Sequence, residues 1–140
     1  DRMEIIISNE NRTETIQLPI IPESLEVAFP HNNEVFTTVD GGDINLIGRP
    51  GLKSITLSSW LPSKEYTFAK SPLLMYEGKE FFVKYKRTRK PIRVVIVNNN
   101  GYTYHNELYA IEEFSFGYDR VGDMTYTLVL KQFVPSKVIT

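Results

Sequence analysis

Apolar positions recur mostly at every second residue along this chain, the pattern of strands with one buried face. Residues 4–8 and 14–18 are short runs of this kind, and the polar Asn9-Glu10-Asn11-Arg12 between them predicts a hairpin. Pro19, Pro22 and Pro30 punctuate the next stretch, where Leu25, Val27 and Phe29 alternate with Ser24, Glu26 and Ala28. That alternation predicts a half-buried strand with Phe29 in the core. Further strands are predicted over 35–39, 44–47 and 54–60, the last carrying Trp60 as a core residue and closed by Pro62. Between them lie two turns, Asp40-Gly41-Gly42-Asp43 and Gly48-Arg49-Pro50-Gly51, with glycines free to take positive φ.

The period then changes. Ser71 and Pro72 suit an N-cap and a first helical position, and Leu74, Gly78, Phe81 and Tyr85 follow at spacings of four, three and four. These residues share one face of a helix expected over about 72–86. Gly78 lowers helix propensity by about 1 kcal/mol against alanine, which suggests close passage over a strand. Lys84, Lys86, Arg87, Arg89 and Lys90 follow, where cations favour the negative end of the helix dipole, and Pro91 stops the helix. Residues 92–97 form the most apolar strand, and Asn98-Asn99-Asn100-Gly101 turns it into Tyr102-Thr103-Tyr104. Two more strands, 108–117 and 124–133, flank a loop at 119–123 and complete the chain. Leu108, Ala110, Glu112, Phe114 and Phe116 alternate along the first, and Tyr126, Leu128 and Leu130 share one face of the second. The fold class is α+β, mostly β: a barrel or strongly curved antiparallel sheets with one flanking helix.

The 140 residues fit a single domain with a core that needs no staple. With 41% hydrophobic and 24% charged residues the composition is globular, and a net charge of −1 argues for no polyanion-binding surface. Cysteine is absent, which removes disulfides, thiol nucleophiles and cysteine-ligated metals. No apolar run is long enough for a membrane span. Both histidines, His31 and His105, fall in expected turns and outside metal-binding spacings. Asp40 to Asp43 has calcium-loop chemistry in miniature but lacks the longer ladder of oxygen ligands, so a hairpin turn is the expected role. Glu112 and Glu113 are adjacent and point to opposite faces of a strand, which rules out a facing acid–base pair. No cofactor or metal is expected. The cluster from Lys84 to Arg93, interleaved with Tyr85, is the one feature that suits nucleic acid, against a chain that otherwise holds more acid than base. A small hydrolase using Asp43 or Asp123 with a glutamate is a further, weaker reading. Eight tyrosines and eight phenylalanines, including Tyr102, Tyr104, Tyr109, Tyr118 and Tyr126, exceed what a small core needs and point to a protein-binding surface.

Four stretches in order carry a resemblance. They are Pro19 to Pro22 with Glu23-Ser24; Asp40-Gly41-Gly42-Asp43-Ile44 with Gly48-Arg49-Pro50; Ile55-Thr56-Leu57-Ser58-Ser59-Trp60-Leu61-Pro62; and Gly122-Asp123-Met124-Thr125-Tyr126-Thr127-Leu128. Over about residues 15–134 the chain resembles the N-terminal domain of LysM-bearing tail proteins of PBSX-type defective prophages and contractile bacteriocins. The resemblance implies a tail-tube-like fold and a non-enzymatic baseplate component, a tube initiator or adaptor. Its expected partners are copies of itself in a six-fold ring, the tail-tube protein, the baseplate hub and other baseplate proteins, with no nucleic acid and no membrane. It also implies assembly in the bacterial cytoplasm and release within a phage tail-like particle on lysis. The main alternative is a tail-tube subunit proper; a nucleic-acid-binding β-barrel stands further off. A LysM domain, normal in that family, would lie outside this chain. The expected interface residues are Asp40, Gly41, Gly42, Asp43, Arg49, Pro50, Trp60, Lys86, Arg87, Arg89, Tyr118, Gly122, Asp123 and Tyr126.

Overall fold

The computed structural model describes residues 3–22, 25–30, 34–37, 43–46 and 51–134, with 34–37 and 43–46 described by backbone alone. Within them the alternation is realised as β1 (Met3–Asn9), β2 (Thr15–Gln17), β3 (Glu26–Ala28), β4 (Glu34–Thr37), β5 (Asp43–Leu46), β6 (Ser54–Leu61), α1 (Met75–Thr88), β7 (Ile92–Asn98), β8 (Thr103–Tyr118) and β9 (Met124–Gln132). Seven strands make one antiparallel sheet in the order β2-β1-β7-β8-β9-β6-β3, while β4 and β5 pair with each other. Among the described residues no pairing joins β2 to β3, so the sheet is not closed into a barrel.

The 16-residue β8 organises this sheet. Its first half pairs with β7 and its second half with β9, and Tyr109 meets Ile92 on one side and Gln132 on the other. Two half-sheets, β2-β1-β7 and β9-β6-β3, therefore hang on one strand. A β-bulge sits where the partners change: Ile111 faces Leu130 and Glu113 faces Val129, leaving Glu112 as the extra residue. The bulge inverts the strand's faces. Tyr109 and Ile111 point into the core before it, and Phe114 packs against the core after it. Tyr102–Tyr104 and 108–117 are thus one strand rather than two, and His105 lies within it rather than in a turn.

One continuous core takes Ile5 and Ile7 from β1, Ile92, Val94 and Ile96 from β7, and Ile55, Leu57 and Leu61 from β6. Met124, Tyr126, Leu128 and Leu130 join from β9, and Phe81, Phe82 and Tyr85 from α1. The helix starts at Met75, three residues later than Pro72. Ser71 does not cap it, because its hydroxyl donates to the Gln17 carbonyl (2.6 Å) and ties the approach to β2. Leu74 stands at the N-cap instead, and its N–H donates to Glu77 Oε1 (3.2 Å). At the other end Arg89 takes the left-handed conformation, φ 58°, and its N–H donates to the Lys86 carbonyl (3.3 Å). Gly78 is buried against β6, where an added Cβ would lie 2.6 Å from Leu61 Cδ1. The glycine permits that approach.

Three expectations about burial are corrected. Phe29 is 56% exposed, because β3 is a three-residue edge strand with no covering layer. Trp60 is half-buried on the outer face of β6, opposite the inward row of Ile55, Leu57 and Leu61. Tyr109 and Tyr126 are core residues.

Candidate assembly surface

At one end of the molecule, where β6, β8 and β9 terminate together, aromatic side chains come to the surface. The turn from Asp119 to Asp123 is self-bonded: Asp119 Oδ1 accepts the N–H groups of Val121 and Asp123 at 3.0 Å each, and Gly122 takes φ 92°. This geometry fixes Asp123, which is 3% exposed. Its carboxylate accepts the Ser63 N–H (2.8 Å), the Ser63 hydroxyl (2.9 Å) and the Tyr66 hydroxyl (2.9 Å). Burial opposes ionisation of Asp123, but these donors outweigh it and hold the carboxyl below its ordinary value. The same bond raises the Tyr66 phenol.

Pinned in this way, the segment after β6 stacks Tyr66 on Phe68 (5.0 Å between ring centres) and sets Trp60 edge-on to both, at 5.7 and 6.0 Å. Phe68 is 62% exposed. Around the corner, Phe114, Phe116 and Tyr118 form a ladder along β8 at 5.2 and 6.3 Å, with Lys79 of α1 over the Phe116 ring at 4.8 Å. At the other end of β8, Tyr102 and Tyr104 meet edge-to-face at 5.2 Å, both exposed. Behind them His105 Nε2 hydrogen-bonds the Tyr109 hydroxyl (2.6 Å), and Lys53 Nζ donates to Glu107 (2.6 Å). Burial lowers the His105 imidazole against the opposing pull of Glu107, and pushes the Tyr109 phenol up to about 12.

Of the expected interface residues, Trp60, Tyr118 and Gly122 lie at the aromatic end. Asp123 and Tyr126 belong there too but are buried within the chain, Asp123 as the anchor just described and Tyr126 beneath Phe82 and Phe114. Lys86, Arg87 and Arg89 are exposed together at the C-terminal end of α1. Asp40, Gly41, Gly42, Arg49 and Pro50 lie outside the described residues, as does His31, and for Asp43 only its place in β5 opposite Thr37 is described. Within the basic cluster two members are engaged inside the chain. Lys84 is bound to Glu14 (2.9 Å), and Tyr85 is buried with its hydroxyl donating to the same carboxylate (2.6 Å), so no stacking ring interleaves the cations. Tyr66, Phe68 and Ser63 fall outside the periodic stretches of the sequence. Their signal is local: two aromatics at alternate positions in a segment closed by Pro62 and Pro72.

Among the described residues, no three His, Asp or Glu side chains gather in a way that could hold a metal, and no helix is long and apolar enough to cross a membrane. No family model matches the chain. An uncharacterised Bacillus subtilis (strain 168) protein, YqbP, is 30% identical over 127 residues, covering 84% of this chain and 54% of YqbP. The chain thus spans about half the length of that curated relative. Among solved structures, a chain from the tail of an empty GTA particle with C6 symmetry superposes over 99% of this chain and 96% of its own length, with TM-score 0.57 and 11% identity. A chain of the six-fold symmetrised baseplate of the anti-feeding prophage superposes over 94% of this chain and 89% of its own, with TM-score 0.51 and 12% identity. At such identities the likeness is one of fold. Over nearly its whole length, the chain shares the mostly-β, single-helix fold of tail and baseplate subunits from six-fold assemblies.

Proposed function

We propose that this chain is a structural, non-catalytic baseplate component of a contractile phage tail-like particle, forming a six-fold ring that joins the tail tube to the baseplate hub. The observation that most supports this reading is the near-complete superposition on subunits of two six-fold assemblies, one a tail and one a baseplate. The surface is consistent with it. Exposed aromatics at both ends of β8 and three-residue edge strands at both sides of the sheet offer contacts that differ from one another, as a closed ring with heterologous interfaces requires. Trp60, Tyr118 and the Gly122 turn form one contact in this reading, and Lys86, Arg87 and Arg89 form a second, toward another baseplate protein. Asp40 to Asp43 and Arg49-Pro50 contact the adjoining ring. Assembly takes place in the bacterial cytoplasm, before release on lysis.

A tail-tube subunit proper is the second reading, favoured by the higher TM-score of the tail chain over the baseplate chain. Immunogold electron microscopy of tail-like particles from producing cells separates the two. Label confined to the tube–baseplate junction is expected. Label along the whole tube would make the chain a tube subunit, and particles without label would overturn both readings.

A further inference from the structure

The outer face of the sheet beside the aromatic end carries two rows of small and hydroxyl-bearing residues with one tryptophan. In register across three central strands, Ser58, Thr127 and Ser115 form one row, and Trp60, Thr125 and Gly117 the next. These six residues line a shallow groove, open to solvent, that contains no charged side chain. Its floor bears four hydroxyls, two of which, Ser58 and Thr127, lie 3.2 Å apart. Gly117 carries no side chain, and a Cβ there would still lie 3.8 Å from Thr125 Oγ1, so the floor stays flat. Trp60 borders the groove, and Tyr66 and Phe68 pack edge-on against Trp60 just outside the lining, held by the bonds of Ser63 and Tyr66 to Asp123.

We propose that this groove binds a neutral oligosaccharide. The chemistry matches at each surface. Sugar hydroxyls exchange hydrogen bonds with Ser and Thr, while the C–H face of a pyranose ring lies on the electron-rich face of an aromatic ring, supplied by Trp60 at the border and extended by the exposed Phe68 beside it. Absence of charge from the lining disfavours phosphates, carboxylates and nucleic acids, which need cationic partners. A peptide strand is also poorly served, because β9 is flanked by β8 and β6 and has no free backbone groups with which to pair an added strand. An open groove suits a chain that runs past both ends, held weakly by each sugar.

Trp60 is the chain's one tryptophan, so its fluorescence reports on this groove alone. The experiment is titration of the purified chain with chitotetraose, cellotetraose and maltotetraose, following Trp60 emission. At least one should give a saturable change with a Kd of about 0.1–5 mM, the range expected of a shallow, solvent-exposed site. Phe68→Ala should weaken that binding about tenfold or more with the far-UV circular dichroism unchanged. Thr127→Val should weaken it severalfold, and Tyr118→Ala, on the opposite face of the sheet, should leave it unaltered. No response to any of the three sugars at about 20 mM, well above that range, overturns the proposal. So does a response that Phe68→Ala leaves intact. Emission that changes with protein concentration instead of sugar would overturn it as well, and would assign the face to contacts between copies. Particle labelling and sugar binding are independent readouts, so either proposal can fail alone.

Discussion

At the scale of single residues, Asp123 carries more structure than its place beside a glycine suggests. Three donors favour the ionised form of this buried carboxyl, and its ordinary pKa of 3.8 is lowered in the folded chain. The folded state therefore binds fewer protons than the unfolded state near pH 4. The stability this provides is complete above the unfolded value and lost as pH falls through the folded one. Glu14 acts with the same sign, its ordinary 4.5 lowered by hydrogen bonds from Tyr85 and then Lys84. Asp123→Asn should cost about 1–3 kcal/mol at neutral pH in urea unfolding, because the bonds from Ser63 and Tyr66 lose their charged acceptor and Tyr66 loses the oxygen to which it donates. It should also flatten the loss of stability between about pH 5 and 2, and an unchanged slope would remove Asp123 from the acid response. The sequence placed Asp123 correctly in a turn at the end of a strand. It could not show the three donors, two of which come from Ser63 and one from Tyr66, some sixty residues away.

At the scale of elements, what the sequence disclosed was period, and what it hid was every change of partner. The helix face was legible through Gly78, Phe81 and Tyr85, all of which are buried. Its start was not, because Ser71-Pro72 carries the composition of an N-terminus while the Ser71 hydroxyl serves β2. β8 reads as two strands because the bulge at Glu112 reverses which positions are apolar. Two substitutions test the helix. Gly78→Ala gains about 1 kcal/mol of propensity, yet places a methyl against Leu61, which is fully buried and must shift to admit it. Overpacking of this kind costs about 1–3 kcal/mol, so a net loss of about 1 kcal/mol is expected in thermal or urea unfolding. In a Leu61→Ala background the same change should become neutral or stabilising. Arg89→Gly should act in the opposite direction. Relief of the left-handed strain at the C-cap should raise stability by about 1 kcal/mol, read as a higher urea midpoint with the same slope.

At the scale of the whole molecule, the two half-sheets share one strand, so their mutual orientation depends on whatever else bridges them. That bridge is α1. Gly78, toward its N-terminal end, lies on Leu61 of β6, and the Phe82 ring packs on Phe114 and Tyr126, which belong to the β8–β9 side. Its C-terminal half reaches the other side, where Tyr85 and Lys84 hold Glu14 beside β2. The hydrophobic pattern disclosed that a helix covers the sheet, but not that it spans a division within it, since that division is a fact of pairing order. The bond most specific to the bridge is Tyr85 Oη to Glu14. Tyr85→Phe keeps the buried ring and removes this bond at a cost of about 0.5–1.5 kcal/mol. If α1 clamps the two halves, the loss will be local: amide hydrogen exchange should quicken in β1 and β2 well before β6 and β9, whose contacts with the helix are untouched. Uniform acceleration in all four strands would instead mean that the core couples the halves without help from the helix. Glu14→Gln, which weakens both the Tyr85 and Lys84 bonds, should give the same uneven pattern, and at pH values well below the carboxyl's range the unmutated chain should come to resemble it.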